Sequence, residues 1–165
     1  MKTHAKIDGI PPWVIFEVIA NPDIRRLWDK AICNFEILED IPSEGRSLLY
    51  YMVKTPIGVS NRDFLQQRKV KKDFPSPGTI TMHFKSVVDD ARCPEKPKTI
   101  RAETIISGYI IAPQGCGGGT ELTVVSQNDI KGVIPLTLVN TGASKAPRQW
   151  VGNMLNACQE YMKKN

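Results

Sequence analysis

The sequence has little of what a secreted, membrane-spanning or catalytic domain needs. No run of about 18 apolar residues occurs, so no helix is expected to cross a bilayer. The opening stretch MKTHAKIDGIPPW lacks the apolar centre of a signal peptide. Cys33, Cys93, Cys116 and Cys158 are scattered without a CxxC pair, and His4 and His83 lie far from any such motif, which argues against structural zinc. Without a secretory signal the cysteines are expected to be reduced thiols of a cytoplasmic protein. GxSxG, HExxH and P-loop patterns are all missing. The glycine-rich GCGGG at 115–119 joins two expected strands and opens no helix, so it reads as a hairpin loop and not a phosphate cradle. Cys116 within it has no basic neighbour to activate it. His83 sits on the polar side of a strand. These absences leave no nucleophile and no acid–base pair, and the expectation is a protein that is not an enzyme and carries no metal or cofactor.

What remains is a chain of 165 residues with 41% hydrophobic and 24% charged residues, ordinary usage for one globular domain spanning 1–165. Its net charge is +5. Residues 54–72 carry Lys54, Arg62, Arg68, Lys69, Lys71 and Lys72 against Asp63 alone, an excess as large as that of the whole chain. Such a stretch suits nucleic acid, an anionic membrane surface, or an edge strand protected by solvated lysines.

THAKID reads as a short strand. Pro11 and Pro12 open a first helix, and Asn21-Pro22-Asp23 breaks it and starts a second. There Ile24, Leu27 and Trp28 form an apolar face, and Arg25 and Asp29 are neighbours one turn apart. NFEILEDI, RSLLYYMVK, RDFLQQRKV, TITMHFKSVV, TIRAETIISGYII and TELTVVSQNDI then read as strands of one antiparallel meander, separated by turn residues. In TITMHFKSVV, Ile80, Met82, Phe84 and Val88 alternate with Thr79, Thr81, His83 and Lys85. At the end, Trp150, Val151, Met154, Leu155, Cys158, Tyr161 and Met162 recur at helical spacing. An α+β fold with the sheet curled around one long C-terminal helix buries both apolar faces.

One strand resists this pattern. In SNRDFLQQRKVKK, residues 60–72, Gln66 and Arg68 share a face with Phe64. A plain core strand does not carry a glutamine and an arginine there, and from the residues alone they equally suit an edge facing water.

IRRLWD, TPIGVSNRDF, IRAETIISGYIIAP, GGGTELTVVSQNDIKGVIPLTLVN and ACQEYMKK, taken in order, resemble a START (StAR-related lipid-transfer) domain over roughly residues 3–163, nearest to its phosphatidylcholine-transfer subgroup. The ordered set Pro56, Arg62-Asp63-Phe64, Arg101, Gly108, Thr120, Asp129, Gly132, Ile134-Pro135 and Asn140 carries the likeness. The resemblance implies a helix-grip fold with an internal lipid tunnel. It also implies a single bound lipid, a phospholipid such as phosphatidylcholine, transferred between membranes without cofactor or nucleic acid. A lipid-sensing module, a sterol binder and a cyclase-type enzyme are the alternatives. By position, Arg25 (beside Asp29) matches the residue that meets the phosphate. Tyr51, Phe64 and Ile105 match an aromatic cage for choline, with Tyr109 as a substitute wall. Ser107 replaces a glutamine, and Arg68 matches an arginine that meets sterol hydroxyls. Gln66 and Arg68 are then explained as tunnel-facing. Ile57 and Val59 on the 55–61 loop, with Trp150 and Met154 on the last helix, are expected at the gate and the transient membrane contact. The helix and two strands that usually precede THAKID in the family are not in this sequence, which raises the expectation of a homodimer that covers the open sheet edge.

Overall fold

The computed structural model describes residues 2–56, 58–115, 118–133 and 136–165, with side chains in the last segment from residue 146 onward. Strand β1 (Lys2–Ile7) leads into helices α1 (Pro12–Ala20) and α2 (Pro22–Trp28). Strands β2 (Ile32–Ile41), β3 (Arg46–Val53), β4 (Asn61–Lys72), β5 (Ile80–Ser86), β6 (Thr99–Arg101), β7 (Glu103–Pro113) and β8 (Thr120–Asp129) follow, and helix α3 (Leu136–Lys164) ends the chain. The curved sheet runs β1-β8-β7-β5-β4-β3-β2, with every neighbouring pair on that path antiparallel.

This order fixes the place of the first two helices. β1 and β2 are consecutive strands at opposite margins of the sheet, so α1 and α2 must carry the chain from one margin to the other. The nearly all-apolar α1 fills the space they cross: Val14, Ile15 and Val18 are fully buried. They join Ile80, Met82, Ile111, Leu122 and Val124 of the sheet and Met154 and Cys158 of α3 in one core. α3 packs on α1 and α2. Burial pushes the Cys158 thiol up to about 12, so it stays protonated and acts as a small apolar filler. Asn21 ends α1 and caps α2, its side chain accepting from the Asp23 N–H at 3.0 Å.

Four expectations change. Leu27 is exposed, whereas Trp28 on the same helix is buried. Val88 lies beyond the end of β5 and is exposed, while Thr79 is buried with its hydroxyl 2.9 Å from that of Ser76. TIRAETIISGYII is two strands: β6 pairs parallel to Asn61–Asp63 of β4, because β5 stops short of that half of β4 and leaves its backbone groups for another partner. The basic stretch is no edge, since β4 lies between β3 and β5. Its charges divide, with Arg62 and Arg68 buried and Lys69, Lys71 and Lys72 exposed. The charged margin is β1, where Lys2, His4 and Lys6 are exposed, an arrangement that discourages further strand pairing.

The β2–β3 turn, a short 3-10 turn at Pro42–Glu44, sets the register of the strands around the site. Gly45 adopts φ 59° there, and its carbonyl accepts from the Val70 N–H at 2.7 Å. A β-carbon at Gly45 would run into the Val70 carbonyl oxygen. Gly45→Ala therefore combines backbone strain with a backbone clash, and a loss of at least about 1 kcal/mol is expected in urea unfolding.

Candidate functional site

On β4, Phe64, Gln66 and Arg68 all point to the concave face and are buried, at 4%, 3% and 8% exposure. The β3–β4 register sets Ser47 opposite Arg68, Leu49 opposite Gln66 and Tyr51 opposite Phe64. Of these, Leu49, Tyr51, Gln66 and Arg68, with the end of α1, Arg25, Ile32 and Phe35 of β2, Phe84 of β5 and Ser107 and Tyr109 of β7, line a cavity of about 90 Å³. The polar residues of the odd strand thus face a cavity between sheet and helices.

The two arginines of this cavity differ in electrostatic state. Arg25 is paired: its Nε and Nη2 lie 2.9 Å and 2.8 Å from Asp29 Oδ2, and Nη1 donates to the Ile19 carbonyl at 3.3 Å. Its guanidinium lies against two indoles that meet edge-on at 5.5 Å, 4.7 Å from the Trp28 ring and 5.2 Å from that of Trp150, a pair of cation–π contacts. Trp150 Nε1 donates to the same carboxylate oxygen at 3.1 Å, tying α3 to α2. Arg68 donates from Nη1 to the Ala20 carbonyl at 3.0 Å and from Nη2 to the Ser47 hydroxyl at 2.9 Å, and its Nε has no partner. Burial lowers its proton affinity, partly offset by the more distant Asp40 and Glu17. A guanidinium nonetheless stays charged.

Gln66 donates from Nε2 to the Tyr51 hydroxyl at 3.2 Å and to the Thr104 hydroxyl. Burial raises the Tyr51 phenol well above its ordinary value, so it is a neutral hydroxyl at any physiological pH. The positions matched to a choline cage do not converge. Tyr51 and Phe64 stack directly, ring centroids 4.8 Å apart and planes 8° apart, which leaves no gap for a trimethylammonium between them. Ile105 is 56% exposed on the outer surface. A bulge between Thr104 and Ile106 causes this, since the extra residue turns Thr104 inward and Ile105 out. Tyr109, the substitute wall, does line the cavity, edge-on to Phe84 at 5.6 Å and tilted against Trp150 at 6.1 Å.

Tyr109 and Trp150 also line a second, mainly apolar cavity of about 180 Å³ under α3, with Thr3, Val124, Ser126, Ala146 and Pro147. Tyr109 borders both the arginine-lined chamber and this apolar one. Among the expected gate residues, Trp150 is this half-buried wall, and Met154 is fully buried in the core, so it presents no surface to a membrane. Val59 is half-buried, its N–H bonded to the Pro56 carbonyl at 3.1 Å and its carbonyl accepting from the Thr55 hydroxyl at 2.6 Å. Ile57 lies outside the described residues.

Ser47, Thr104, Phe35 and Phe84 were not anticipated. Ser47 was within reach: counting the β3–β4 hairpin back from the 54–60 loop sets it opposite Arg68. Thr104 was not, because only the bulge turns it inward. Nor was the loop anchor at the other end of β4. Buried Arg62 donates from Nη1 to the Ser60 carbonyl at 2.5 Å, from Nε to Ile130 at 3.1 Å and from Nη2 to Lys131 at 2.9 Å. Next to it Asp63 binds Arg101 in a two-pronged pair at 3.0 and 3.1 Å.

The START domain family model matches residues 5–164. Phosphatidylcholine transfer protein of Mus musculus is 26% identical over 163 residues, which cover 99% of this chain and 74% of that protein. Among solved structures, human STARD10 superposes with a TM-score of 0.86 at 22% identity, over 98% of this chain and 64% of that one. Human StAR-related lipid transfer protein 5 gives 0.84 at 20% identity, over 98% and 76%. The chain thus spans about two thirds to three quarters of the length of the proteins it matches. No helix among the described residues is long and apolar enough to cross a membrane.

Proposed function

Since the chain belongs to the START domain family, we propose that it holds one lipid, a phospholipid, between its sheet and helices and carries it from membrane to membrane. The observation that supports this most is the pair of buried guanidiniums on the wall of a largely aromatic and aliphatic cavity. That combination suits a molecule with an anionic end and an apolar body. Arg25 and Arg68 would hold the phosphate by charge-assisted hydrogen bonds, with Gln66, Tyr51 and Ser107 beside them.

The energetics favour a carrier without fuel. A two-chain lipid has about 30 methylenes, each costing about 0.8 kcal/mol in water, so free diffusion faces a barrier on the order of 25 kcal/mol. Passing the chains from a bilayer into an apolar chamber removes nearly all of it. Selectivity then rests on the head group, whose charge is heavily penalised in a dry site unless paired.

A cavity of about 90 Å³ holds about three water molecules' worth of volume, far less than a diacyl lipid. Loading therefore requires the walls to part. The Tyr109–Trp150 contact, which borders the chamber under α3, is the natural place, with α3 moving as the outer wall. The protein incubated with mixed phospholipid vesicles, re-isolated and extracted is expected to yield about one phospholipid per chain by mass spectrometry. Its melting temperature is expected to rise, as bound ligand at about 100 times its Kd adds about 2.7 kcal/mol. Recovery of no lipid would overturn the reading. Tight uptake without transfer between donor and acceptor vesicles would turn it into a lipid-sensing module.

A further inference from the structure

We propose that the head group this cavity selects carries a net negative charge and that Arg68 is its counter-charge. This deepens the phospholipid reading and rests on it.

The argument is a charge balance of the buried wall. Arg25 and Asp29 cancel each other at 2.8 Å. Arg68 has no such partner: among the described residues no carboxylate lies within ion-pair distance of it. Two of its donors end on neutral oxygens, Ala20 O and Ser47 Oγ, and Nε is buried without any partner. Asp40 is reached only through Ser47, whose hydroxyl donates to Asp40 Oδ1 at 2.7 Å, and Asp40 is exposed to solvent that screens it. The C-terminal end of α1 offers a partial negative charge of about half a unit, shared between Arg25 at Ile19 and Arg68 at Ala20. The wall therefore keeps a net positive charge on a side chain that is mostly buried.

A buried charge without a partner is costly, so a ligand that supplies the missing charge is favoured over one that does not. A phosphodiester with no cation of its own, as in phosphatidylglycerol, brings one negative charge to Arg68. Phosphatidylcholine brings an ammonium as well, and that group meets a positive wall, with rings such as those of Tyr51, Phe84 and Tyr109 as its only compensation and the matched three-sided cage unformed. Its two matched rings are stacked shut and Ile105 faces outward. Like charges brought together in a low-dielectric site repel much more strongly than in water. The buried neutral hydroxyl of Tyr51, and Ser107 on the opposite wall, can add hydrogen bonds to either phosphate and do not distinguish them.

The test is a competition. The full chain is incubated with vesicles of equal phosphatidylcholine and phosphatidylglycerol with matched acyl chains, re-isolated, and its bound lipid quantified by mass spectrometry. Phosphatidylglycerol is expected to be enriched about tenfold in the bound pool. The enrichment should persist from about 0.15 M to about 1 M salt, since salt screens exposed charges much more than buried ones. Arg68→Gln should bring the ratio near one, and Arg68→Lys should retain most of it. Wild-type protein that takes both lipids equally, or prefers phosphatidylcholine, overturns the inference while leaving the phospholipid reading standing. An enrichment lost at high salt also overturns it, assigning the preference to the basic exterior. Uptake of neither lipid overturns both. The wild-type ratio and its salt dependence decide the matter even where Arg68→Gln fails to fold.

Discussion

Arg25→Ala will cost the folded protein about 3–5 kcal/mol, a large part of the roughly 5–15 kcal/mol that holds a domain together. On spacing alone Arg25 and Asp29 are a helix-surface pair, worth a few tenths of a kcal/mol. In the fold they are about nine-tenths buried and shared by three helices: Arg25 and Asp29 belong to α2 and its end, Ile19 to α1, and Trp150 to α3. Removing the guanidinium strands a buried carboxylate and uncovers the faces of two indoles. A mutant that simply loses lipid while keeping its fold, as a pure ligand contact would give, is not expected. The control is the double variant Arg25→Met with Asp29→Leu. Replacing a buried ion pair with apolar groups of similar size is often neutral, and the hydrogen bonds to Trp150 and Ile19, about 1 kcal/mol each, are then lost. This variant should fold closer to wild-type stability than Arg25→Ala and bind phospholipid poorly. Urea unfolding of the wild type and both variants checks it, and a loss below about 1 kcal/mol for Arg25→Ala would return the pair to surface status.

Arg62→Ala is expected to lower stability by about 3 kcal/mol and to speed lipid release at the same time. Three backbone carbonyls from two separate segments converge on this one buried side chain. Hydrogen bonds to a charged group contribute about 1.5–3 kcal/mol each, and the loop carbonyls recover part of that loss from water. Ser60 ends the 54–60 loop, and Ile130 and Lys131 precede α3. The guanidinium therefore fastens both segments beside the helix that must move. Gly132 belongs to the same knot: it has φ 69°, and a β-carbon there would press on Ile100 and on Arg62 itself. Arg62→Lys keeps the charge but not the planar fork, so it should recover only part of the stability. Hydrogen exchange should show the loss of protection confined at first to residues 59–62 and 130–133. Unchanged exchange there, with unchanged lipid release, would leave Arg62 as ordinary packing.

The sequence was most informative where a period or a breaker residue dominates. The two proline-opened helices, the alternation of β5 and the amphipathic last helix all follow from local pattern, and so do most strands. Local pattern also flagged Gln66 and Arg68 as anomalous. It could not say whether they faced water or a cavity, because that depends on β4 lying in the middle of the sheet. Ile105 went wrong for a related reason: simple alternation places it inward, and a single bulged residue reverses it. Met154 was expected at a surface because a broad apolar helix face does not say which of its residues meet the core. Whether Arg25 or Arg68 carries the unbalanced charge was invisible as well. That depends on what stands opposite each of them, a carboxylate one turn away for the first and a serine on the next strand for the second.

The order of strands has a consequence for how the molecule is made. β1 pairs with β8, setting Lys2 beside Val125, so β1 finds its neighbour only after all the strands between them have been made. At ribosomal rates of about 5–20 residues per second, that wait is on the order of ten seconds. During it the meander from β2 to β7 can assemble by neighbour-to-neighbour hairpins, which close short loops and form fast. The apolar side chains of α1 have no completed floor until β8 arrives and no outer cover until α3 follows. Val14, Ile15 and Val18, the best-hidden residues of the finished protein, are thus among the longest exposed in the nascent one, and they are where a chaperone would find its grip.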